Sequence, residues 1–138
     1  MQHLSLTENH LFGKAYNNGR RWCEKHICVF VLKDRAAFRL MKANPEKQYL
    51  NRLGLTVSKK VGGAVVRSRA RRVMRAAYDS LEGQLRQGFI VVISAREGVA
   101  DQKSYEIARQ LRHALRKLEM FAEEQQTQQT KTQTNTNQ

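Results

Sequence analysis

Unbroken apolar runs mark the strands that the sequence predicts most clearly. Residues 26–32 (HICVFVL) and 89–95 (FIVVISA) are rich in β-branched and aromatic side chains, which favour strands. The second run is typical of a strand buried on both faces, as in the middle of a sheet. Alternation of apolar and polar residues over 52–58 predicts a third strand, and residues 20–24 form a candidate edge strand.

The first predicted helix lies ahead of these strands and covers residues 8–16. Thr7 is a candidate N-cap, since its hydroxyl can accept a hydrogen bond from the first helical turn. Asn17-Asn18-Gly19 predicts a left-handed stop, because asparagine and glycine tolerate that conformation best. Four residues share one side of this helix: Leu11, Phe12, Ala15 and Tyr16.

Two longer helices follow, over about residues 64–85 and 104–121. The last helix has an apolar stripe at helical spacing, which indicates that it faces a core. Residues 33–51 contain Asn44-Pro45, a turn signal, and we interpret them as an excursion between strands with one or two helical turns over 34–43. The stripe of the last helix comprises Ile107, Leu111, Ala114, Leu118 and Phe121.

These elements predict a single domain over residues 1–122. Residues 123–138 consist mainly of Gln, Thr and Asn and contain almost nothing apolar to bury, so we predict a disordered tail. No apolar run approaches the roughly 20 residues that a membrane-spanning helix needs, and the first ten residues lack the pattern of a secretory signal. Cys23 and Cys28 are interpreted as two reduced thiols of a cytoplasmic protein.

The charge is strongly positive and points to a polyanionic partner. Lys and Arg total 25 against 12 Asp and Glu, which gives a net charge of +13 over 138 residues. Between Arg52 and Arg75 the chain has eight basic residues and no acidic one. On the predicted helix, an apolar stripe (Val66, Ala70, Val73, Met74, Ala77 and Leu81) lies opposite a basic face (Arg67, Arg69, Arg71, Arg72 and Arg75).

A solvated helix face usually mixes charge signs, so this basic face favours RNA contact over simple exposure to water. Arginine suits phosphate because its planar fork can bind two oxygens. Lys59 and Lys60 precede the Gly62-Gly63 turn, where the start of the helix offers free N–H groups. The sequence therefore predicts a phosphate-binding corner next to the basic face.

Residues 58–75, SKKVGGAVVRSRARRVMR, closely resemble the signature of the bacterial ribonuclease P protein subunit, S-K-K-x-G-x-A-V-x-R-N-R-x-K/R-R-x-x-R. The resemblance covers about residues 6–121. It implies an α+β fold, a two-layer α/β sandwich in the order α-β-β-β-α-β-α, with a left-handed βαβ crossover. It also implies a protein that joins a catalytic RNA and assists removal of the 5′ leader from precursor tRNA.

The resemblance assigns roles to individual residues. Ser68 stands where the family usually has Asn, and the excursion over 33–51 looks longer than the family's usual connection. The implied contacts to the catalytic RNA are Lys59, Lys60, Arg67, Ser68, Arg69, Arg71, Arg72 and Arg75. The implied cleft for the leader comprises Phe12, Tyr16 and Phe30 together with Arg67, Ser68 and Arg71.

The resemblance also implies the partners and the chemistry. The partners are the catalytic RNA and precursor tRNA in the cytoplasm, with no membrane and no homo-oligomer in the functional complex. Catalysis is expected from the RNA, with Mg²⁺ at the RNA active site and no cofactor held by the protein. We expect no catalytic or metal-binding side chain, since the four histidines and the aspartates Asp34, Asp79 and Asp101 are scattered without metal-ligand spacing.

Two other classes of function fit parts of the pattern. A non-enzymatic RNA-binding protein, such as a ribosomal protein or RNA chaperone, would explain the charge, the basic helix and the aromatic residues equally well. A membrane-surface protein fits less well, because the arginines lie opposite small apolar residues instead of a wedge of Trp, Phe and Leu.

Overall fold

The computed structural model describes residues 3–46 and 50–122, and these form a mixed five-stranded sheet with four α-helices. The strands are β1 (Leu4–Ser5), β2 (Arg20–Cys23), β3 (Ile27–Lys33), β4 (Arg52–Thr56) and β5 (Phe89–Ala95). The helices are α1 (Asn9–Asn18), α2 (Ala37–Ala43), α3 (Ala64–Asp79) and α4 (Ser104–Lys117), and short 3₁₀ turns lie at Lys59–Val61, Glu82–Gln84 and Val99–Asp101. None of the described helices is both long and apolar enough to cross a bilayer.

The strands are ordered β1-β4-β5-β3-β2 across the sheet. β4 pairs with β5 and with β1 in parallel, whereas β3 is antiparallel to both β5 and β2. From Ile90 to Ile93 no residue of β5 is more than 1% exposed. The prediction of a central strand buried on both faces is therefore confirmed.

Helices lie on both faces of the sheet. α3 and α4 cover the face that carries Val29, Val91 and Ile93, in the larger core cluster. α1 covers part of the other face, where Ala15 packs with Phe30 in a smaller cluster. The α+β class is confirmed. The structure has more than the predicted two layers, because α1 adds a partial third layer on the other face of the sheet.

The predicted order α-β-β-β-α-β-α is present, with two additions. β1 precedes it, and α2 lies between β3 and β4, in the excursion where the sequence predicts one or two helical turns. Two residues make a strand too short for a periodic pattern, so the sequence gives no sign of β1. α3 connects the parallel neighbours β4 and β5, and the left hand of that crossover stays a prediction.

The ends of α1 differ from the prediction. The N-cap is Glu8 instead of Thr7, and no side chain caps this helix. Gly19 has a φ of −77°, so the left-handed stop is wrong. Glycine is needed there for space, since a Cβ would lie 2.5 Å from the carbonyl oxygen of Ala15 and 2.8 Å from that of Val31.

The two long helices are shorter than predicted. α3 ends at Asp79, where the Ser80 hydroxyl donates to the carbonyl oxygen of Ala77 at 2.7 Å and competes with further helical bonding. α4 ends at Lys117, and Glu119 then adopts a left-handed φ of 59°. That turn places Phe121 beside Leu85 in an isolated bridge. The predicted tail over 123–138 lies outside the described residues.

Cys23 and Cys28 form a disulfide, so the prediction of two reduced thiols is wrong. The N–H of Glu24 donates to the carbonyl oxygen of Ile27 at 2.7 Å and closes a tight turn between β2 and β3. The cysteines then face each other as a cross-strand pair with Cα atoms 4.0 Å apart. Hydrogen-bonded and non-hydrogen-bonded pairs alternate along an antiparallel ladder, and side chains are closest at the non-hydrogen-bonded pairs. Because Glu24 and Ile27 are hydrogen-bonded, the next pair, Cys23 and Cys28, is a non-hydrogen-bonded one.

We expect the disulfide to stabilise the protein modestly. A cross-link that closes so short a loop stabilises the folded state by roughly 2 kcal/mol in the chain-entropy model. The ladder hydrogen bonds between β2 and β3 remain when the disulfide is reduced, so the strands should persist. Reduction should lower the free energy of unfolding, measured by urea denaturation, without loss of secondary structure. The double variant Cys23→Ser/Cys28→Ser is the control, because reductant should not change its stability. Equal stability of the wild type with and without reductant would contradict the expected contribution of the bond.

Gly54 of β4 determines how closely α1 approaches the sheet. A Cβ at this position would lie 2.5 Å from Cε1 and 2.7 Å from Cζ of Phe12, and 3.2 Å from a methyl group of Leu6. The ring of Phe12 therefore occupies the space that a side chain would take. The glycine is a packing requirement of the α1 face.

Gly54→Ala should destabilise the protein by about 1–3 kcal/mol, because the ring of Phe12 must move to relieve the clash. Gly13→Ala is the matched control. Gly13 lies inside α1, and a Cβ added there would meet no atom within 4 Å. Alanine at that position should therefore stabilise by about 0.5–1 kcal/mol through helix propensity. Thermal and urea denaturation of both variants measure the contrast, and equal shifts would contradict the proposed packing.

Candidate nucleic-acid interface

The basic face of α3 is a rigid surface because the opposite side of the helix is packed. Ala70, Met74 and Ala77 are fully buried against the sheet. Arg69, Arg72 and Arg75 are exposed, whereas Arg67 and Arg71 are half-buried. The predicted apolar stripe is wrong at Val66, which is 36% exposed. The stripe therefore begins at Ala70, one turn later than predicted.

The arginines of α3 have no acidic partner within ion-pair distance in the described part of the chain. Arg67 also contains a buried Nε that lacks a hydrogen-bond partner among the described residues. Unpaired buried donors are costly and usually need an explanation other than stability. Five like charges on one helix repel each other, so an anionic ligand would stabilise this surface.

The turn before α3 has the features of an anion site. Lys59 and Lys60 lie in the 3₁₀ turn and are exposed. A Cβ on Gly62 would approach Cγ1 of Val66 to 2.8 Å, so the chain needs glycine to enter the helix here. No side chain caps the N-terminus at Gly63, and the first turn contains no acidic residue. Its N–H groups can therefore bind an anion.

The three predicted aromatic residues come together on the α1 face. The Tyr16 ring meets the Phe30 ring edge to face, with centroids 4.8 Å apart. The Tyr16 hydroxyl donates to Oγ1 of Thr56 at 3.1 Å, which fixes the direction of the ring. Tyr16 is 39% exposed, whereas Phe30 is 8% exposed and Phe12 is half-buried over Gly54. Tyr16 is therefore the side chain best placed to stack on a base, and the two phenylalanines support it.

A row of small side chains continues the floor beside Tyr16. Cys28, Ser94 and Thr56 are direct neighbours across β3, β5 and β4. The hydroxyl oxygens of Thr56 and Ser94 are 2.6 Å apart. Sequence reasoning missed Thr56 and Ser94, because a serine or threonine at a strand end has no motif, and only the register brings them beside Tyr16. We call this floor and its three aromatic residues the aromatic cleft.

Arg67, Ser68 and Arg71 are also predicted to line this cleft. The structure places them on α3, whose buried residues pack against the opposite face of the sheet from α1. Their contribution to the cleft stays a prediction. Their place on the basic face follows directly from the helix.

A polar cluster lies at the end of α3, where His3 and Glu82 are buried and Asp79 is exposed. Nδ1 of His3 is 2.6 Å from Oε2 of Glu82 and 3.7 Å from Oδ1 of Asp79. Among the described residues these three form the one group with enough clustered ligand atoms for a metal ion. The shorter distance is that of a hydrogen bond from imidazole to carboxylate, so the cluster anchors the N-terminal segment. Burial is the main cause that raises the pKa of the neighbouring Tyr78 well above its usual value.

Comparison with known proteins gives a consistent result. The family model Ribonuclease P matches residues 1–119. The ribonuclease P protein component of Alkaliphilus metalliredigens is 31% identical over 117 residues, which cover 85% of this chain and 95% of that protein. The component of Shouchella clausii is 33% identical over 117 residues, with 85% and 87% covered.

Solved structures are similar in fold. The RNase P protein of Staphylococcus aureus has a TM-score of 0.65 at 23% identity, and the match covers 88% of this chain and 98% of that one. The RNase P protein of Thermotoga maritima has a TM-score of 0.62 at 19% identity, with 79% and 92% covered. At these identities the structures support the α+β fold with its mixed sheet, and the sequence relatives support the family.

Proposed function

We propose a mode of action that starts from one premise: the chain belongs to the ribonuclease P protein family. It is accordingly the protein subunit of the ribonuclease P ribozyme complex, which processes the 5′ end of tRNA. We propose that the basic face of α3 binds the catalytic RNA and that the aromatic cleft binds the leader of precursor tRNA. The family match favours this function over that of a ribosomal protein or RNA chaperone.

The observation that carries the first part is the absence of counter-ions on the α3 face within the described residues. RNA phosphates can replace the missing acids, and their binding releases the cations condensed on the RNA. The free N–H groups after Gly63 add a fixed partial positive charge beside Lys59 and Lys60. The implied contact set is Lys59, Lys60, Arg67, Ser68, Arg69, Arg71, Arg72 and Arg75.

The aromatic cleft supports the second part. A base can stack on an aromatic ring whatever its identity, which suits a subunit that must accept many leaders. Tyr16 offers a partly exposed ring that its hydroxyl bond to Thr56 holds in place. A ring that is ordered before binding loses little conformational freedom when a base stacks on it.

The protein's role in this proposal is to bind and position RNA. Hydrolysis takes place in the catalytic RNA with Mg²⁺ there, and the protein itself supplies no cofactor. We propose that the complex contains one copy of this protein, because the two RNA partners account for both candidate surfaces. We place the complex in the cytoplasm, as the family resemblance implies. The Cys23–Cys28 disulfide is unusual for that compartment, where thiols are normally kept reduced.

Replacing both Arg67 and Arg71 with Ala should weaken association with the catalytic RNA by about ten-fold or more, since each can make a charge-assisted hydrogen bond. The slope of log K against log salt should become shallower by about two, one for each lost phosphate contact. Filter binding across a salt series measures both quantities. Leader removal at limiting protein should fall in parallel.

Arg109→Ala with Lys117→Ala is the charge-matched control for this experiment. Both residues lie on α4 and are exposed, so the pair removes the same charge from another surface. A local phosphate contact predicts a smaller effect from the α4 pair. Identical effects of the two double variants would show that α3 acts only through overall charge.

Tyr16→Ala should weaken binding of precursor tRNA to the reconstituted holoenzyme by about five-fold or more, the effect of losing one stacked base. Binding of mature tRNA, which has no leader, should not change. Tyr16→Phe keeps the ring and loses only the bond to Thr56, so it should retain most of the affinity. Equal losses for precursor and mature tRNA would contradict a role in leader binding.

A further inference from the structure

A second groove lies beside α1, between that helix and α2. Its volume is about 790 Å³, which is within the usual range for ligand sites. Lys14 and Asn18 of α1 line one side, and Lys33, Arg35 and Phe38 line the other. We call it the α1–α2 groove, and it includes part of the excursion that the sequence singles out as long.

The α1–α2 groove is cationic because its one acidic side chain is already paired. Both oxygens of Asp34 bond to Arg52, with Nε and Nη2 at 2.7 and 2.8 Å. This hydrogen bond is the main cause that raises the pKa of Arg52, and the side chains of Arg52 and Asp34 are only 11% and 2% exposed. No acidic group of the described chain forms an ion pair with Lys14, Lys33 or Arg35.

Phe38 gives this cationic groove an aromatic surface. The side chain is 71% exposed, and Nζ of Lys42 lies 4.6 Å from the centre of its ring. Arg39 is exposed on the same short helix. Cations around an open aromatic ring are the combination that binds single-stranded nucleic acid, since the phosphates need charge and the bases need a ring to stack on. A double helix would offer no unstacked base to this ring.

The position of the groove indicates which RNA it binds. Lys14 and Asn18 follow Phe12 and Tyr16 by two residues each, which at about 100° per residue puts them on the other flank of α1. The groove and the aromatic cleft are thus neighbours across one helix. Both lie with α1, away from α3, which covers the opposite face of the sheet. A strand leaving the cleft can cross α1 into the groove.

We infer that the α1–α2 groove binds single-stranded RNA, namely the part of the precursor leader that extends past the aromatic cleft. The inference rests on the proposed function, because it takes the leader to lie in that cleft. Phe38 stacks on a leader base, and Lys14, Lys33 and Arg35 bind the phosphates beside it. The groove therefore lengthens the leader-binding surface and makes affinity depend on leader length.

The test measures dissociation constants of the reconstituted holoenzyme for two precursors, one with a short leader that ends in the cleft and one with a longer leader. Wild-type protein should bind the longer precursor more tightly. Phe38→Ala should raise the dissociation constant for the longer precursor by about five-fold or more, as expected for the loss of one stacked base. The dissociation constant for the short precursor should not change. The double variant Lys33→Ala/Arg35→Ala should make the salt slope for the long precursor shallower by roughly 0.7 for each lost phosphate contact.

Two variants of α2 control for folding and for simple hydrophobic contact. Met41→Ala removes another exposed apolar side chain, 43% exposed, from the same helix, and it should leave both dissociation constants unchanged. Phe38→Leu keeps an apolar side chain without a ring, so it should lose the same gain as Phe38→Ala. Retention of the gain by Phe38→Leu would overturn the stacking role.

Other outcomes separate this inference from the proposed function. No gain from leader length in the wild type, or an unchanged gain in Phe38→Ala, overturns the groove. A loss in Phe38→Ala that is equal for precursor tRNA, mature tRNA and free catalytic RNA also overturns it, in favour of a contact to the catalytic RNA. If Tyr16→Ala has no effect while Phe38→Ala removes the gain, Tyr16 is not the stacking residue of the cleft, whereas leader binding by the groove is supported.

Discussion

β5 is hydrogen-bonded to β4 on one side and to β3 on the other, and its side chains are buried on both faces. This one strand therefore supports both layers of helices. Val91 and Ile93 contact the cluster under α3 and α4, while Ile90 and Val92 contact the cluster under α1. Because protein cores are close-packed, neither layer can move far without disturbing the other. The basic face and the aromatic cleft are consequently held at a fixed separation.

The two faces differ in the chemistry that they present to RNA. The α3 face offers charge on a packed helix, which binds phosphate without regard to sequence. The α1 face offers an aromatic ring fixed by a hydrogen bond, and a ring binds any base by its flat side. Both modes recognise RNA as a polymer instead of as a particular sequence. A subunit that works on many precursor tRNAs needs that tolerance.

The sequence predicted those features that depend on local pattern and failed where strand register or contacts between distant residues decide. The bounds of β5 agree with the predicted 89–95 because the apolar run itself ends there. The Cys23–Cys28 disulfide depends on the register of β2 with β3, which a spacing of cysteines does not reveal. In the site, the aromatic residues were identified, but their exposure depends on Gly54 and Thr56, which come from a strand far along the chain. The α1–α2 groove likewise requires Asp34 to be paired with Arg52.

The N-terminal segment has a consequence for how the chain acquires its structure during synthesis. Leu4 pairs with Arg52, Tyr16 bonds to Thr56, and His3 bonds to Glu82, and the partners of the two side-chain bonds are 40 and 79 positions apart in the chain. Pairings between residues so remote in the chain form slowly, because a large loop must close first. α1 leaves the ribosome before β5, so the aromatic cleft, which needs residues of both elements, cannot form until residues 89–95 have been synthesised.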